Sequence, residues 1–324
     1  MPSEITIRRA TDDDIDAIIE VAGTALGWAP GEPHADLFRW KHLENPFGVS
    51  PMWVAEADGR LAGFRALMRW ELIDADGTTV TAVRAVDTAT HPDFQRRGIF
   101  SKLTMAGIDA MATEGVDIVF NTPNSQSRPG YLKLGWIDVG RLPVAFRPTG
   151  TKAAIKVLKA RTAAEKWSEP TDVGEPAADV LVDAGLEQLL TGQPRPDGLS
   201  TKNSLALLRW RYRLEPMHYR AWVPDGIDGG VVLFRVRRRG QAAECTIGTV
   251  LAPKADPARK RSLLATLAKA SVADYLLKLG PADARGGFMP ALGLGPRLTA
   301  RAVSSEPDPD ISHWRFELGD IELF

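Results

Sequence analysis

The segment His91–Leu103, HPDFQRRGIFSKL, leaves a strand-like run and enters a helical one through a short cationic turn. The first backbone N–H groups of a helix have no partner within it, and that end of the helix dipole is positive. Such an end binds phosphate. Gly98 carries no Cβ to hold an anion off, and Arg96 and Arg97 add charge. The reading is a pyrophosphate seated after Gln95 on the amides of Arg96, Arg97, Gly98, Ile99, Phe100 and Ser101. The spacing is neither a P-loop nor the three-glycine dinucleotide fingerprint. The five histidines, at 34, 42, 91, 218 and 313, lack metal-ligand spacing, so no metal is expected. No Ser/His/Asp arrangement is legible.

Gln95-Arg96-Arg97-Gly98-Ile99-Phe100 resembles the Gln-x-x-Gly-x-(Gly/Ala) acyl-CoA signature of the GNAT superfamily of N-acetyltransferases. Phe100 departs from the small residue of that pattern. A second similarity follows: Asn124, then Tyr131 seven residues later, then LKLGW with Trp136 in the place of Phe. Together the motifs cover about residues 4–147. The resemblance implies a GNAT fold, acetyl-CoA (coenzyme A) as cofactor, and direct transfer of an acetyl group to a primary amine of a small molecule or amino sugar.

It also implies site roles. Strands 79–90 and 117–122 would splay to admit the pantetheine arm, which pairs with backbone groups of Val86 to Thr88. Tyr131 would point at the sulfur and serve the leaving thiolate, and Asn124 would bind the cofactor arm. Asp87 is the expected proton acceptor, ahead of Glu56 and His91. Trp28 and Glu32, in the loop that covers the acceptor in such folds, are the expected substrate contacts. In multidomain relatives of the enhanced-intracellular-survival type a terminal carboxylate reaches the site. Phe324 would supply it here, unless the C-terminus is an edge strand in solvent.

These residues need elements to hold them. Residues 1–148 read β-α-α-β-β-β-α-β-α-β, with Thr11 capping the first helix and IDVGRLPVAFRP as the last strand. A helix is expected over 152–167 and a linker over 168–178. The second half echoes the first: LFRWKHLENP (37–46) matches LLRWRYRLEP (207–216), GFRAL (63–67) matches LFRVR (233–237), and THP (90–92) matches LAP (251–253). Asp256-Pro257 then open a helical stretch to Leu279. The fold class is therefore α/β (α+β): a mixed central sheet flanked by helices, duplicated. The division is 1–148 as the catalytic domain, 149–178 as helix and linker, and 179–324 as a degenerate copy, since PKADPARKRS (253–262) lacks the glycine of the turn.

Composition sets outer limits. The chain has 324 residues, 44% apolar and 25% charged, with 40 basic against 41 acidic side chains. That near-cancellation gives no global pull toward nucleic acid or an anionic membrane. Cys245 is the only cysteine, which excludes an internal disulfide and fits a reducing compartment. MPSEITIRRATDDD lacks the apolar core of a signal peptide. The expectation is a cytoplasmic enzyme with a small-molecule partner and no nucleic-acid or membrane partner, and a homo-oligomer is left open. Two alternatives also stay open: a non-catalytic acyl-CoA sensor, and an aminoacyl transferase of the tandem-GNAT cell-wall type.

Overall fold

The computed structural model describes residues 4–150, 156 and 162–322. The chain forms two compact units. Among the described residues, one holds those from 4 to 140 together with Arg297–His313; the other holds those from 141 to 296 together with those from 314 to 322.

The first unit runs β1 (Thr6–Arg9), α1 (Ile15–Leu26), α2 (His34–Leu43), β2 (Met52–Ala57), β3 (Arg60–Ile73), β4 (Thr79–Thr90), α3 (Ile99–Thr113), β5 (Ile118–Asn121), α4 (Arg128–Lys133) and β6 (Ile137–Arg141). Strands β1 to β4 are antiparallel neighbours in chain order, and β5 joins β4 in parallel. A parallel neighbour needs a crossover, and α3 supplies it. Two apolar cores flank the sheet. One gathers Trp53, Leu67, Val83, Ile99, Leu103, Tyr131 and Trp136 around α3. The other gathers Ile15, Ile18, Phe38, Phe64, Ala66 and Ala89 beneath α1 and α2. Gly27 ends α1 at φ +65°, a left-handed cap that glycine takes without strain.

The second unit runs β7 (Val144–Pro148), β8 (Glu175–Pro176), α5 (Ala177–Val180), α6 (Gly185–Thr191), β9 (Ser200–Thr201), α7 (Leu205–Tyr212), β10 (Arg220–Trp222), β11 (Val231–Arg239), β12 (Ala242–Leu251), α8 (Pro257–Ala270), β13 (Tyr275–Leu279) and β14 (Met289–Pro290). Its sheet order is β14-β7-β13-β12-β11-β10-β8. The pattern of the first unit returns: antiparallel β10, β11 and β12, a crossover helix α8, then β13 parallel to β12. β15 (Arg297–Ala302) belongs to the first unit, between β5 and β6.

Both sheets carry a bulge at the same point. Arg65 and Ala66 of β3 face Thr88 and Val86, leaving Asp87 as the extra residue on β4. Leu233 and Phe234 of β11 face Thr249 and Ile247, leaving Gly248 on β12.

Several expectations need correction. IDVGRLPVAFRP is two strands, β6 and β7, in different sheets. Pro143, which has no N–H for a ladder, lies in the break between them. The boundary at 148 is therefore crossed in both directions, by β7 and by β15. The helical stretch to Leu279 ends at Ala270; Tyr275–Leu279 is a strand, with Tyr275 and Leu276 fully buried beside β12. Residues 168–178 are no free linker: Glu169 bridges to Val236, and β8 pairs with β10. Of the helix expected at 152–167, residues 162–167 are not helical, and residues 151–155 and 157–161 lie outside the described set. The C-terminal segment forms 3-10 turns at Ile311–His313 and Leu318–Asp320 rather than an edge strand, and Phe324 lies outside the described residues. Among the described residues no helix is long and apolar enough to cross a membrane.

Candidate active site

The cationic turn is built as a cradle. Pro92–Phe94 forms one 3-10 turn, opened by a His91 side chain that accepts from the Asp93 N–H. Arg96 then takes φ +63° and Gly98 φ +76°, with Arg97 between them not positive. Alternation of this kind turns successive N–H groups toward one point, an anion-binding nest. Gly98 is the N-cap of α3 and offers no side-chain cap. A Cβ at 98 would meet nothing within 4 Å. The leading amides of α3 thus carry no side-chain cap, and the space at the Gly98 Cβ position is open. Gln95, Arg96 and Ser101 are exposed, while Arg97 lies over the Phe94 ring at 5.5 Å. Ile99 is buried in the core.

Phe100, the departure from the family pattern, turns inward. Its ring meets Tyr131 edge-on at 5.3 Å and lies where a Cβ on Gly130 would be 3.1 Å away. Gly130 makes the room that a small residue at 100 would otherwise leave.

β4 and β5 pair only from Ala82 to Arg84 against Ile118 to Phe120. Along its other edge β5 pairs with β15 from Ile118 to Asn121, and there the Thr299 hydroxyl donates to Asn121 Oδ1 at 2.7 Å. β4 continues through Ala85, Val86, Asp87 and Thr88 without a β5 partner, which opens a wedge. The Tyr131 hydroxyl sits at this wedge, donating to the Ala85 carbonyl at 3.4 Å. The Thr88 hydroxyl is spent on the Phe64 carbonyl at 2.9 Å. Arg65 lies under the same place. It is fully buried, and its Nη1 donates to the Tyr131 oxygen at 2.8 Å.

Asp87, pushed out by the bulge, meets α2. Its Oδ2 accepts from Lys41 Nζ at 2.7 Å and from His42 Nε2 at 2.9 Å. His42 Nδ1 lies 2.9 Å from the Ser50 hydroxyl. Burial works against ionising Asp87, but the Lys41 ammonium and the His42 hydrogen bond outweigh it and hold the carboxyl far below the usual carboxylate range. Burial pushes the His42 pKa down, so its ring is neutral at pH 7. With a carboxylate accepting at Nε2, the ring proton is on that nitrogen and the Ser50 hydroxyl donates to Nδ1. A Ser50–His42–Asp87 chain therefore exists where the sequence showed none. It lacks a hydrolase's reach, because Ser50 is buried and Lys41 shares the carboxylate. Asp87, expected to take a proton, is a poor base and a good anchor for a cation.

The remaining expected residues fall elsewhere. Asn124 Oδ1 accepts from the backbone N–H groups of Gln126 and Ser127 and from the Ser127 hydroxyl. Its oxygen is engaged in the turn that precedes α4. Trp28 stacks on His34 at 4.8 Å, and His34 Nε2 meets Glu32 at 2.8 Å. His34 opens α2 about two helical turns before Lys41. Glu56 is held by Arg8 and His91 by the turn. Sequence reasoning missed Lys41, His42, Ser50 and Arg65. The one signal for Arg65 was a cation amid the apolar run LAGFRAL.

The second unit offers a contrast at the same places. Asp256 caps α8, accepting from the N–H groups of Ala258 and Arg259. The amides that α3 leaves open are closed there by a carboxylate. At the second bulge the Tyr212 hydroxyl lies 2.6 Å from where a Gly248 Cβ would be, and it pairs with Thr249 at 2.7 Å.

The profile of the acetyltransferase (GNAT) domain family matches residues 6–137. Among curated proteins nothing matches. Among solved structures the chain is similar to a probable N-acyltransferase from Enterococcus faecalis V583, with TM-score 0.65 and 12% identity over 93% of this chain and 73% of that one. It is also similar to a GCN5-related N-acetyltransferase from Anabaena variabilis, with TM-score 0.64 and 14% identity over 93% and 73%. A third neighbour is Eis1 from Mycobacterium abscessus, with TM-score 0.59 and 17% identity over 93% and 74%. At these identities the neighbours share the fold. Over residues 6–137, which enclose the turn, the wedge and Tyr131, the chain matches the GNAT acetyltransferase domain family.

Proposed function

We propose that the protein is an acetyl-CoA-dependent N-acetyltransferase acting on a primary amine of a small molecule, by direct transfer at the wedge between β4 and β5. The observation that carries this reading is the uncapped N-terminus of α3, which opens onto free space at Gly98 in the unit where β4 and β5 splay. Acetyl-CoA fits that arrangement: a dianionic diphosphate matches the nest, and an extended arm matches an unpaired strand. When bound, it supplies the activated acyl group.

In this reading the amides of residues 96–101, with Arg96 and Arg97, hold the diphosphate. Backbone groups of Val86, Asp87 and Thr88 align the arm, and an N–H aimed at a developing oxyanion contributes about 3 kcal/mol. Tyr131 gives its proton to the departing sulfur. The Asp87 carboxylate draws in and orients the amine as a cation; solvent takes the proton that the amine must lose before attack. Trp28 and Glu32 border the approach along α2. The second unit is a GNAT-like domain that has lost its own cofactor site. A reducing, cytoplasmic setting is in keeping with Cys245 as a buried free thiol.

The test is acetyl-CoA consumption, followed as thiol release, over aminoglycosides, polyamines, amino sugars and peptide N-termini. Turnover of one amine class that falls about 100-fold in Tyr131→Phe supports the reading. Tight acetyl-CoA binding without turnover of any of them would leave a sensor, and binding of aminoacyl-tRNA in place of acetyl-CoA would leave an aminoacyl transferase.

A further inference from the structure

Arg65 is a cation in an unusual place. It is 0% exposed, in the middle of β3. Buried guanidinium groups are ordinarily paired with a carboxylate, because an uncompensated buried charge is costly. Arg211 and Arg235 of the second unit follow that rule, paired with Asp320 and Glu322. Among the described residues Arg65 makes no ion pair. Its Nη1 donates to the Tyr131 hydroxyl at 2.8 Å and, weakly, to the Val86 carbonyl at 3.4 Å; its Nη2 donates to the Thr104 hydroxyl at 3.0 Å. Nε is buried without a partner. The rings of Phe100 and Tyr131 cover the guanidinium at 5.1 and 5.4 Å, so water does not screen it.

Such a group has spare positive charge, aimed at one phenol at the mouth of the wedge. We infer that Arg65 is a positioning residue whose charge, acting through Tyr131, stabilises the negative charge that the leaving thiolate creates. The inference rests on the reading of the wedge as the thioester site. The step balances as follows. The amine nitrogen bonds to the acyl carbon, the C–S bond breaks, and its electron pair stays on sulfur. Tyr131 passes its proton to that sulfur, and the phenolate left behind faces Arg65 at hydrogen-bond distance. The proton lost by the amine returns to Tyr131 through solvent. Thr104, one turn into α3, sets the second edge of the guanidinium and so aims the first.

Two readouts test this. The first uses no turnover: CoA is bound to wild type, Arg65→Gln, Tyr131→Phe and the double variant, and the ultraviolet absorbance of the bound thiolate is followed with pH. An opposite charge a few ångströms away shifts such an ionisation by about one unit or more. Wild-type-bound CoA should therefore ionise at lower pH than CoA bound to either single variant, and the double variant should go no further than Tyr131→Phe. The second is kcat with acetyl-CoA and the best amine of the panel. Arg65→Gln should lose tenfold or more with acetyl-CoA affinity within threefold, again without added loss in the Tyr131→Phe background. Arg65→Lys should recover part of both effects.

Additive losses, or an unshifted thiolate titration, would overturn the inference while leaving the acetyltransferase reading standing. Wild type that turns over none of the amines would overturn both. Should Arg65→Gln fail to fold, Arg65→Lys and Thr104→Val keep the charge but disturb its aim. On both readouts they should move the same way by less, and no movement would overturn the proposal.

Discussion

A carboxylate on a central strand can take protons or hold cations, and its neighbours decide which. Asp87 is one residue from the expected thioester position, which made it the natural base by sequence. The structure places Lys41 and His42 on one of its oxygens, and the carboxyl stays ionised far into acid. Asp87→Asn would leave Lys41, only 7% exposed at its side chain, without its partner. The expected cost is about 3 kcal/mol at pH 7, the usual scale for breaking a buried pair from one side. The sign with pH follows from the lowered carboxyl: the contribution is complete above the unfolded value near 4 and is lost as pH falls toward the folded one. Urea unfolding of wild type and variant should therefore diverge at pH 7 and converge in strong acid, and Lys41→Met should return part of the lost stability to Asp87→Asn. A gap that persists unchanged at pH 2 would refute the assignment. Gly98 and Tyr131 were legible because their signals are local, a glycine at a helix start and a tyrosine seven residues past an asparagine. Asp87 with Lys41 and Arg65 with Tyr131 are separated by 46 and 66 positions. Only the packed sheet brings them together, so no spacing in the chain announces them.

At the scale of elements, α3 and α8 are the same crossover helix put to different ends. One begins at a glycine with no side-chain cap, the other at an aspartate that caps its own amides. The strands around them were readable from apolar runs and turn residues, but their allegiance to a sheet was not. β6 and β7 form one apolar stretch in the sequence, and only the break at Pro143 parts them. α8 was read nine residues too long because LLATLAKASVADYLLKL keeps apolar residues at helical intervals past its end. A five-residue buried strand is indistinguishable from such a continuation by period alone. The decisive element test is Gly98→Glu, which puts a negative charge at the mouth of the nest. Acetyl-CoA affinity, measured by calorimetry, should drop at least tenfold. Gly98→Asn separates charge from backbone strain: at φ +76° any side chain costs about 1 kcal/mol, but asparagine adds no charge and should retain most of the affinity. Equal losses in both variants would mean that geometry alone, and not an anion, governs the turn.

The molecule as a whole holds its acidic and basic side chains near balance, yet it buries a good many of them in the second unit. There the C-terminal segment inserts Asp320 beside Arg211, Glu322 beside Arg235 and Tyr219, and Glu317 beside Thr249. Two of these acids have a cation at hydrogen-bond distance. Glu317 has no such cation among the described residues; its carboxyl accepts from the Thr249 hydroxyl at 2.8 Å and caps the turn that follows. Burial, with Asp320 adding repulsion, raises its pKa to about 7. The folded chain therefore keeps a proton that the unfolded chain releases near pH 4.5. Between those values the folded state binds more protons, so stability falls as pH rises, by about 3 kcal/mol across the window, and levels off above it. Glu317→Gln keeps the acceptor for the cap but has no charge to bury. Its unfolding midpoint should match wild type near pH 4.5 and exceed it at pH 8, the gap opening steadily between the two. Because the variant differs from wild type only in the ionisable group at 317, the change of the gap with pH reports Glu317 itself. A difference that does not change between pH 4.5 and 8 would show that the carboxyl is not buried as a neutral group, and with it that the segment from Trp314 on does not seal the second unit.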